Sequence, residues 1–463
     1  MSKNFVWGPT FGEMLNPDTI PSEIREKAIK AKEENPLDPI NLFNINWTDD
    51  KGNLSYAVIP KELTGVDANI VVLYGKHFPT GSHKVGATYS VAVQKQLEGE
   101  IVPGESTIIF PSTGNYAIGG SFTGPRMGYT TKVILPEMMS KERFEKISHY
   151  GAEYIKTPGC ESNVKEIYDK CWELKAESPA NKILNQFEVL GNYMFHYHVT
   201  GNTMAQVTAE LAEKGIGNGR AAAIVSAMGS SGTIACGDRL KQLFPETKII
   251  GLEPIQCPTI YNNGYGDHDI QGIGDKHVTW IHNVMNMDAI MCIDDMESKK
   301  GLQLLTDEVG KEYLLSAVGV DKKSIEMMSE IFGISGVCNL LGAIKTAKYF
   351  DMTDRDVIFT VCTDAIDRYH SVMKQLDEAY GEMDTTKAAV RYESIFKNVK
   401  LDYIEEGTYK NRLRWHNLKY YTWIEQQGKT IEELNAQKRQ DYWIEIQQSI
   451  EAFDAKLEEA RGY

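Results

Sequence analysis

The sequence predicts an α/β fold built on buried parallel strands, and three observations carry that expectation. Between about residues 68 and 375, short apolar runs alternate with amphipathic stretches at helical spacing. The runs are rich in β-branched residues and nearly continuous in apolar character, the pattern of strands covered on both faces. Each is followed by glycine, proline or the start of a helix, which suits strands joined by crossover helices.

In chain order the strand runs are "ANIVVLYG", "STIIFPSTG", "TKVILPEMM", "AEYIKTPG", "AAAIVSAMG", "TKIIGLEP" and "DVIFTVCTD". Two flanks break the alternation, both rich in Trp, Tyr and charge. Residues 1–67 contain "LDPINLFNINWTDDKGNLSYAVIPKELTG", an irregular stretch with a turn expected at Asp49-Asp50-Lys51-Gly52. Residues 376–463 are helix formers with apolar positions near helical spacing, and Thr430 with Glu433 is expected to form a capping box at one helix start. The flanks are expected to pack on the core or to build a subunit interface; there are no repeats and no low-complexity linker.

The chain has 463 residues, enough for two or three domains, and a formal net charge of −15. That charge opposes binding to nucleic acid or anionic membrane. No segment approaches the roughly eighteen apolar residues of a spanning helix, and the start, "MSKNFVWGPTFGEML", lacks an apolar signal region, so a cytoplasmic location is expected. The seven cysteines, at 160, 171, 236, 257, 292, 338 and 362, show no CxxC pair or matching histidine spacing. Buried thiols are expected rather than disulfides, and no metal site.

Three strand-to-helix junctions carry the chemistry. "MGSSGTIACGDRL" follows the strand "AAAIVSA", so the N–H groups of Gly229, Ser230, Ser231, Gly232 and Thr233 would point outward with the helix dipole, as in a phosphate site. It is neither GxGxxG nor a P-loop, and a glycine-rich turn also serves as a plain βα connection. "FPSTGNYAIGG" crowds Ser112, Thr113, Gly114 and Asn115 at a strand's carboxyl end, where ligands sit in open parallel sheets; Asn115 alone would also suit a helix cap. The third, "HFPTGSHKVGATYS", sets Lys84 among Gly81, Ser82, Gly86 and Ala87. A lysine that forms a Schiff base needs a desolvated pocket, and small neighbours would let a planar ligand approach. A helix-start lysine in solvent is the plainer alternative.

Together these pieces resemble the fold type II pyridoxal-phosphate (PLP) enzymes of the cysteine synthase and cystathionine β-synthase family. "MMSKERFEKISHYGAEYIKTPG", "NQFEVLGNYMFHYHVTGNTMAQV", "GLEPIQCP", "DIQGIG", "FGISGVCNLLGAIKTA" and "DRYHS" follow in that family's order, over roughly residues 70–372. The resemblance implies two open, twisted, mostly parallel sheets flanked by helices. It implies a smaller mobile domain, 68–198, with Lys84 and the Asn115 loop, and a larger phosphate-binding domain, 199–375. Residues 1–67 would then pack on the larger domain, and 376–463 would be a helical extension. Lys84 would form the imine with PLP, Gly229 to Thr233 would hold its phosphate, and Asn115 would bond the ring's 3′-oxygen. Ser112, Thr113 and Gly114 would grip the substrate carboxylate, and Gly272, Ile273 and Gly274 would line the pocket.

For the pyridine nitrogen, Thr363 matches by chemistry and Asp364 by counting back from Arg368, because "VCTDAIDRYHS" holds one residue more than the family's stretch. Thr363 is preferred: a hydroxyl leaves that nitrogen unprotonated, whereas a carboxylate would favour a pyridinium. Around Lys84, "HFPTGSHKVG" is more similar to the tryptophan synthase β-chain, which would put His83 at the cofactor phosphate; a packed core histidine is the alternative. Tyr116 stands where the family has a small residue and would reshape the substrate site. The implied activity is β-elimination or β-replacement on a serine- or cysteine-type amino acid through an aminoacrylate, in a homodimer. A threonine or serine dehydratase, a tryptophan synthase-like enzyme and a non-catalytic sensor or partner-binding subunit are the alternatives.

Overall fold

The computed structural model describes residues 6–112, 114–159, 163–264 and 266–462. Its strands are β1 (Tyr56–Val58), β2 (Asn69–Tyr74), β3 (Thr107–Pro111), β4 (Thr130–Pro136), β5 (Glu153–Thr157), β6 (Asn181–Ile183), β7 (Ala221–Ala227), β8 (Lys248–Pro254), β9 (Ala289–Ile293), β10 (Val357–Cys362) and β11 (Ile404–Glu406). They form two sheets, one of order β1-β2-β10-β7-β8-β9-β11 and one of order β5-β4-β3-β6. The smaller sheet is parallel throughout. The larger is parallel from β2 to β9, with β1 and β11 antiparallel at its edges.

The reason lies in burial. In β10 every residue is buried, and in β2 only Tyr74 is not, so these strands need helices on both faces, as crossovers supply. The run "AEYIKTPG" departs from the expectation of a covered strand. It forms β5, but at the edge of the smaller sheet, where Glu153, Tyr154 and Lys156 are exposed.

The expected domain boundary at residue 68 also needs correction. β2 lies in the larger sheet, hydrogen-bonded to β10 with Val72 opposite Thr360. The smaller sheet begins only at β3, so Lys84 enters from the larger sheet on the helix Lys84–Leu97. Residues 376–463 are not purely helical either, since they supply β11. The turn after Asp49 forms as expected: its Oδ1 accepts from the Lys51 and Asn53 amides, both at 2.9 Å, and Gly52 takes φ +83°. So does the capping box, with Thr430 and Glu433 bonded in both directions.

The two flanks meet. Asp454 accepts from the Phe11 and Gly12 amides at 2.8 and 2.9 Å, and Arg461 pairs with Glu13 at 2.6 Å. The C-terminal flank also holds the segment 278–283. The Trp423 indole donates to the Val278 carbonyl at 2.8 Å. Fully buried Lys419 donates to the carbonyls of Trp280 (3.0 Å) and His282 (2.7 Å) and to Gln437 Oε1 (2.6 Å). Removing that ammonium strands three acceptors, each costing about 1–3 kcal/mol when unsatisfied. Lys419→Met is therefore expected to lower the urea midpoint without changing the m-value; an unchanged midpoint would contradict this role.

Candidate active site

The carboxyl ends of β3, β7 and β10 face one crevice between the sheets, where an open α/β fold places its ligands. Two cavities that share Lys84, Gly229, Ser230 and Gly272 occupy it. The first is lined by Gly229 to Thr233, Thr363, Ser335 and Asn339, the second by Ser112, Gly114, Asn115, Tyr116, Gln186 and Asp275. The structure thus brings together most of the residues expected from the sequence; Thr113 lies outside the described residues.

Lys84 is the first residue of its helix and only partly exposed. Its Nζ donates to Ser230 Oγ at 2.9 Å and to Gln186 Oε1 at 3.4 Å, so the amine points into the crevice and not into bulk water. The small residues beside it have a different purpose from the one expected. A Cβ on Gly86 would lie 2.1 Å from the Phe195 ring, and one on Gly119, across the helix pair, 3.2 Å from the Lys84 carbonyl. They let helices close on each other and so fix the lysine; Gly86 makes room for a neighbouring side chain, not for a ligand.

The turn after β7 is a cradle of free donors. The amides of Gly229, Ser230, Ser231 and Thr233 bond to no other group among the described residues, and Ser231 takes φ +59°, a conformation that L-residues seldom adopt. Asn192 braces the turn by donating to Ser230 Oγ at 3.0 Å, and Gly232 has no space for a side chain, since a Cβ would lie 2.1 Å from Asn192 Oδ1. Outward N–H groups with no protein acceptor suit a phosphate.

Thr363 and Asp364 take separate places. Thr363 lines the cavity with the glycine turn. Asp364 is buried in a brace: its Oδ2 accepts from Asn115 Nδ2 (2.6 Å) and the Tyr369 hydroxyl (2.7 Å), with the Arg143 and Arg368 guanidiniums at 3.6 and 3.8 Å. Asn115 in turn accepts from Arg368 at 2.9 Å, so its amide joins the two halves of the crevice as well as starting a helix.

Two expected positions are corrected. His83 is fully buried, stacked on Trp47 at 5.4 Å, with Nε2 3.1 Å from Thr363 Oγ1. It lies behind Thr363 and lines neither cavity, because the aromatic packing claims its ring. Burial, and then the Lys84 charge, hold it well below the usual imidazole range, so it is neutral. Gly274 does not line the pocket either. Its N–H donates to the Met228 carbonyl and its carbonyl faces His268 Nε2 at 2.8 Å, which ties the 272–274 loop to the end of β7; Gly272 and Ile273 do reach the cavities. Tyr116 contributes a wall, its hydroxyl donating to the Leu184 carbonyl at 3.0 Å. Burial raises its pKa far above the usual phenol value, so it is no base.

Gln186, Ser335, Asn339 and Asp275 were missed. Gln186 lies in "NQFEVLG", where a short polar insertion between apolar elements was the available signal. Asn339 sits within a buried helix and pins two strand ends, accepting from the Ala227 amide (2.8 Å) and donating to the Val361 carbonyl (2.7 Å); helical periodicity gave no sign of it. Asp275 directly follows the "QGIG" loop.

A family model described as pyridoxal-phosphate dependent enzyme matches residues 60–315. The chain belongs to that family. It is 31% identical over 233 residues to a probable cysteine synthase from Bacillus subtilis, covering 50% of this chain and 72% of that one. With a cysteine synthase from Staphylococcus aureus it is 29% identical over 310 residues, 66% of this chain and 90% of the other. Among solved structures, a cysteine synthase from Entamoeba histolytica superposes with a TM-score of 0.60 at 22% identity, covering 74% and 92% of the two chains. The cofactor is therefore pyridoxal phosphate, and the crevice fits it: an amine, a cradle of free amides and a small cavity between them.

If Gly86 exists to admit Phe195, then Gly86→Ala should cost about 1–3 kcal/mol through overpacking. Adding Phe195→Leu should recover part of that loss in a double-mutant cycle of urea melts. Additive losses would show that the two side chains are not coupled.

Proposed function

We propose that this chain catalyses β-replacement on a serine- or cysteine-type amino acid, as its relatives named cysteine synthase do. The observation that carries the reading is the Lys84 amine, 2.9 Å from Ser230 at the mouth of the amide cradle, with Ser112, Gly114 and Asn115 on the wall of the same crevice.

In this reading the amides of Gly229 to Thr233 hold the cofactor phosphate, Thr363 faces the pyridine nitrogen and Asn115 the ring oxygen. Bound there, the cofactor supplies an electron sink for the substrate's α-carbon. The chain's residues do the rest. Ser112 and Gly114 orient the substrate carboxylate; behind them the Arg143 and Arg368 guanidiniums stand 3.6 and 3.8 Å from the buried Asp364 carboxylate. The Lys84 amine, once displaced, removes the α-proton. Closure of the smaller sheet's unit over the crevice would exclude water and favour replacement over elimination. Among the described residues no helix is long and apolar enough to cross a membrane. Six described cysteines are free and buried, which supports a reducing, cytoplasmic setting, and family likeness supports a homodimer.

The holoenzyme should show a visible absorbance band that is absent in Lys84→Ala, and should form cysteine from O-acetylserine and sulfide. Lys84→Ala should lower that rate by about 10²–10⁴-fold. A variant that keeps both band and rate would overturn the assignment, and wild-type protein inert toward serine, cysteine and O-acetylserine would overturn the activity.

A further inference from the structure

Asp275 stands on the wall of the cavity that holds Lys84, Ser112, Asn115 and Tyr116. It is buried, and among the described residues its carboxyl group takes part in no hydrogen bond or ion pair; the contact made is through its backbone carbonyl, which accepts from Thr259 Oγ1 at 3.1 Å. Buried carboxyl groups in structural roles are paired or bonded, as Asp364, Glu253 and Asp238 are here. A carboxyl group left free beside the reactive amine is placed for proton transfer.

The titratable groups around it are few: Lys84 from its helix, Tyr168 from the helix Val164–Glu177, and Cys257 after β8. Burial holds both Tyr168 and Cys257 in their protonated, neutral forms by raising their pKa values. Burial likewise pushes the Asp275 carboxyl up to about 7, against the opposing pull of Lys84, so it can both give and take a proton near neutral pH.

We propose that Asp275 is the general acid for the group leaving the substrate β-carbon and then the base for the incoming nucleophile, which equips the site for poor leaving groups such as the hydroxyl of unactivated serine. This rests on the β-replacement reading. The protons balance: Lys84 takes the α-proton and Asp275 gives its own as the carbon–oxygen bond breaks, releasing water. The incoming thiol then loses its proton to Asp275 as the carbon–sulfur bond forms, and Lys84 returns the α-proton. A leaving group such as chloride needs no proton, so the demand on Asp275 depends on the substrate.

The test follows loss of the β-substituent from serine and from β-chloroalanine, before any thiol is added, in wild type and Asp275→Asn. The variant should slow serine about 10²–10⁴-fold more than it slows β-chloroalanine. In wild type this first half-reaction should carry a larger solvent deuterium isotope effect with serine than with β-chloroalanine, a readout that survives if the variant fails to fold. In apoprotein, difference infrared spectra should show a protonated carboxyl band that titrates near pH 7, and that Asp275→Asn removes where it folds. Equal slowing of both substrates, an isotope effect that does not distinguish them, or no such band overturns the role of Asp275 alone. Wild-type inertness toward both substrates overturns the β-replacement reading with it.

Discussion

The contact between Lys84 Nζ and Ser230 Oγ, 2.9 Å long, constrains much of the molecule. The lysine rides on a helix that leaves the larger sheet after β2, and the serine sits in the turn after β7, two strands away across β10. Bringing them together requires β2, β10 and β7 to run parallel and in register, so that their carboxyl ends reach one level. It also requires the lysine helix to press against its neighbours, which Gly86 and Gly119 permit by having no side chains. Gly86 and Gly119 thus act on the chemistry through packing.

A second layer holds the crevice from behind. Arg143 belongs to a helix of the smaller sheet's unit, and Asp364, Arg368 and Tyr369 follow β10 of the larger one. The Arg143 guanidinium donates to the Tyr369 hydroxyl at 3.0 Å, which donates to Asp364, and Arg368 reaches across to Asn115. Buried ions are costly to hold apart from one another, so such a network defines one relative placement of the two sheets more than it adds net stability. Gly114 belongs to this layer, because a Cβ there would lie 1.6 Å from Arg143 Nη1.

Continuous apolar runs ended by glycine, proline or a helix start made β2, β3, β4, β7, β8 and β10 legible in the sequence, because a strand buried on both faces has little choice of residues. β6 and β11 span three residues each, too short for any period to register, and β9, "AIMCI", places Met and Cys among its five residues, neither of them β-branched. The domain boundary was misplaced because β2 precedes the smaller sheet in sequence yet pairs with β10, more than 280 residues later, as Asn69 with Val357 shows. Within the crevice, Lys84, the 229–233 turn and Asn115 announced themselves through unusual local composition. Ser335, Asn339 and Asp275 did not, since each reaches the site through tertiary packing and none is locally odd, and Gln186 showed only a short polar insertion. His83 misled for the converse reason: it is next to the lysine in sequence, but successive helix-start residues point in different directions, and Trp47 takes its ring.

The most direct measurement is borohydride reduction of the holoenzyme followed by peptide mass mapping. The account predicts one phosphopyridoxyl adduct per chain, on the peptide that carries Lys84. An adduct on another lysine, or no adduct in protein that retains its visible band, would contradict it.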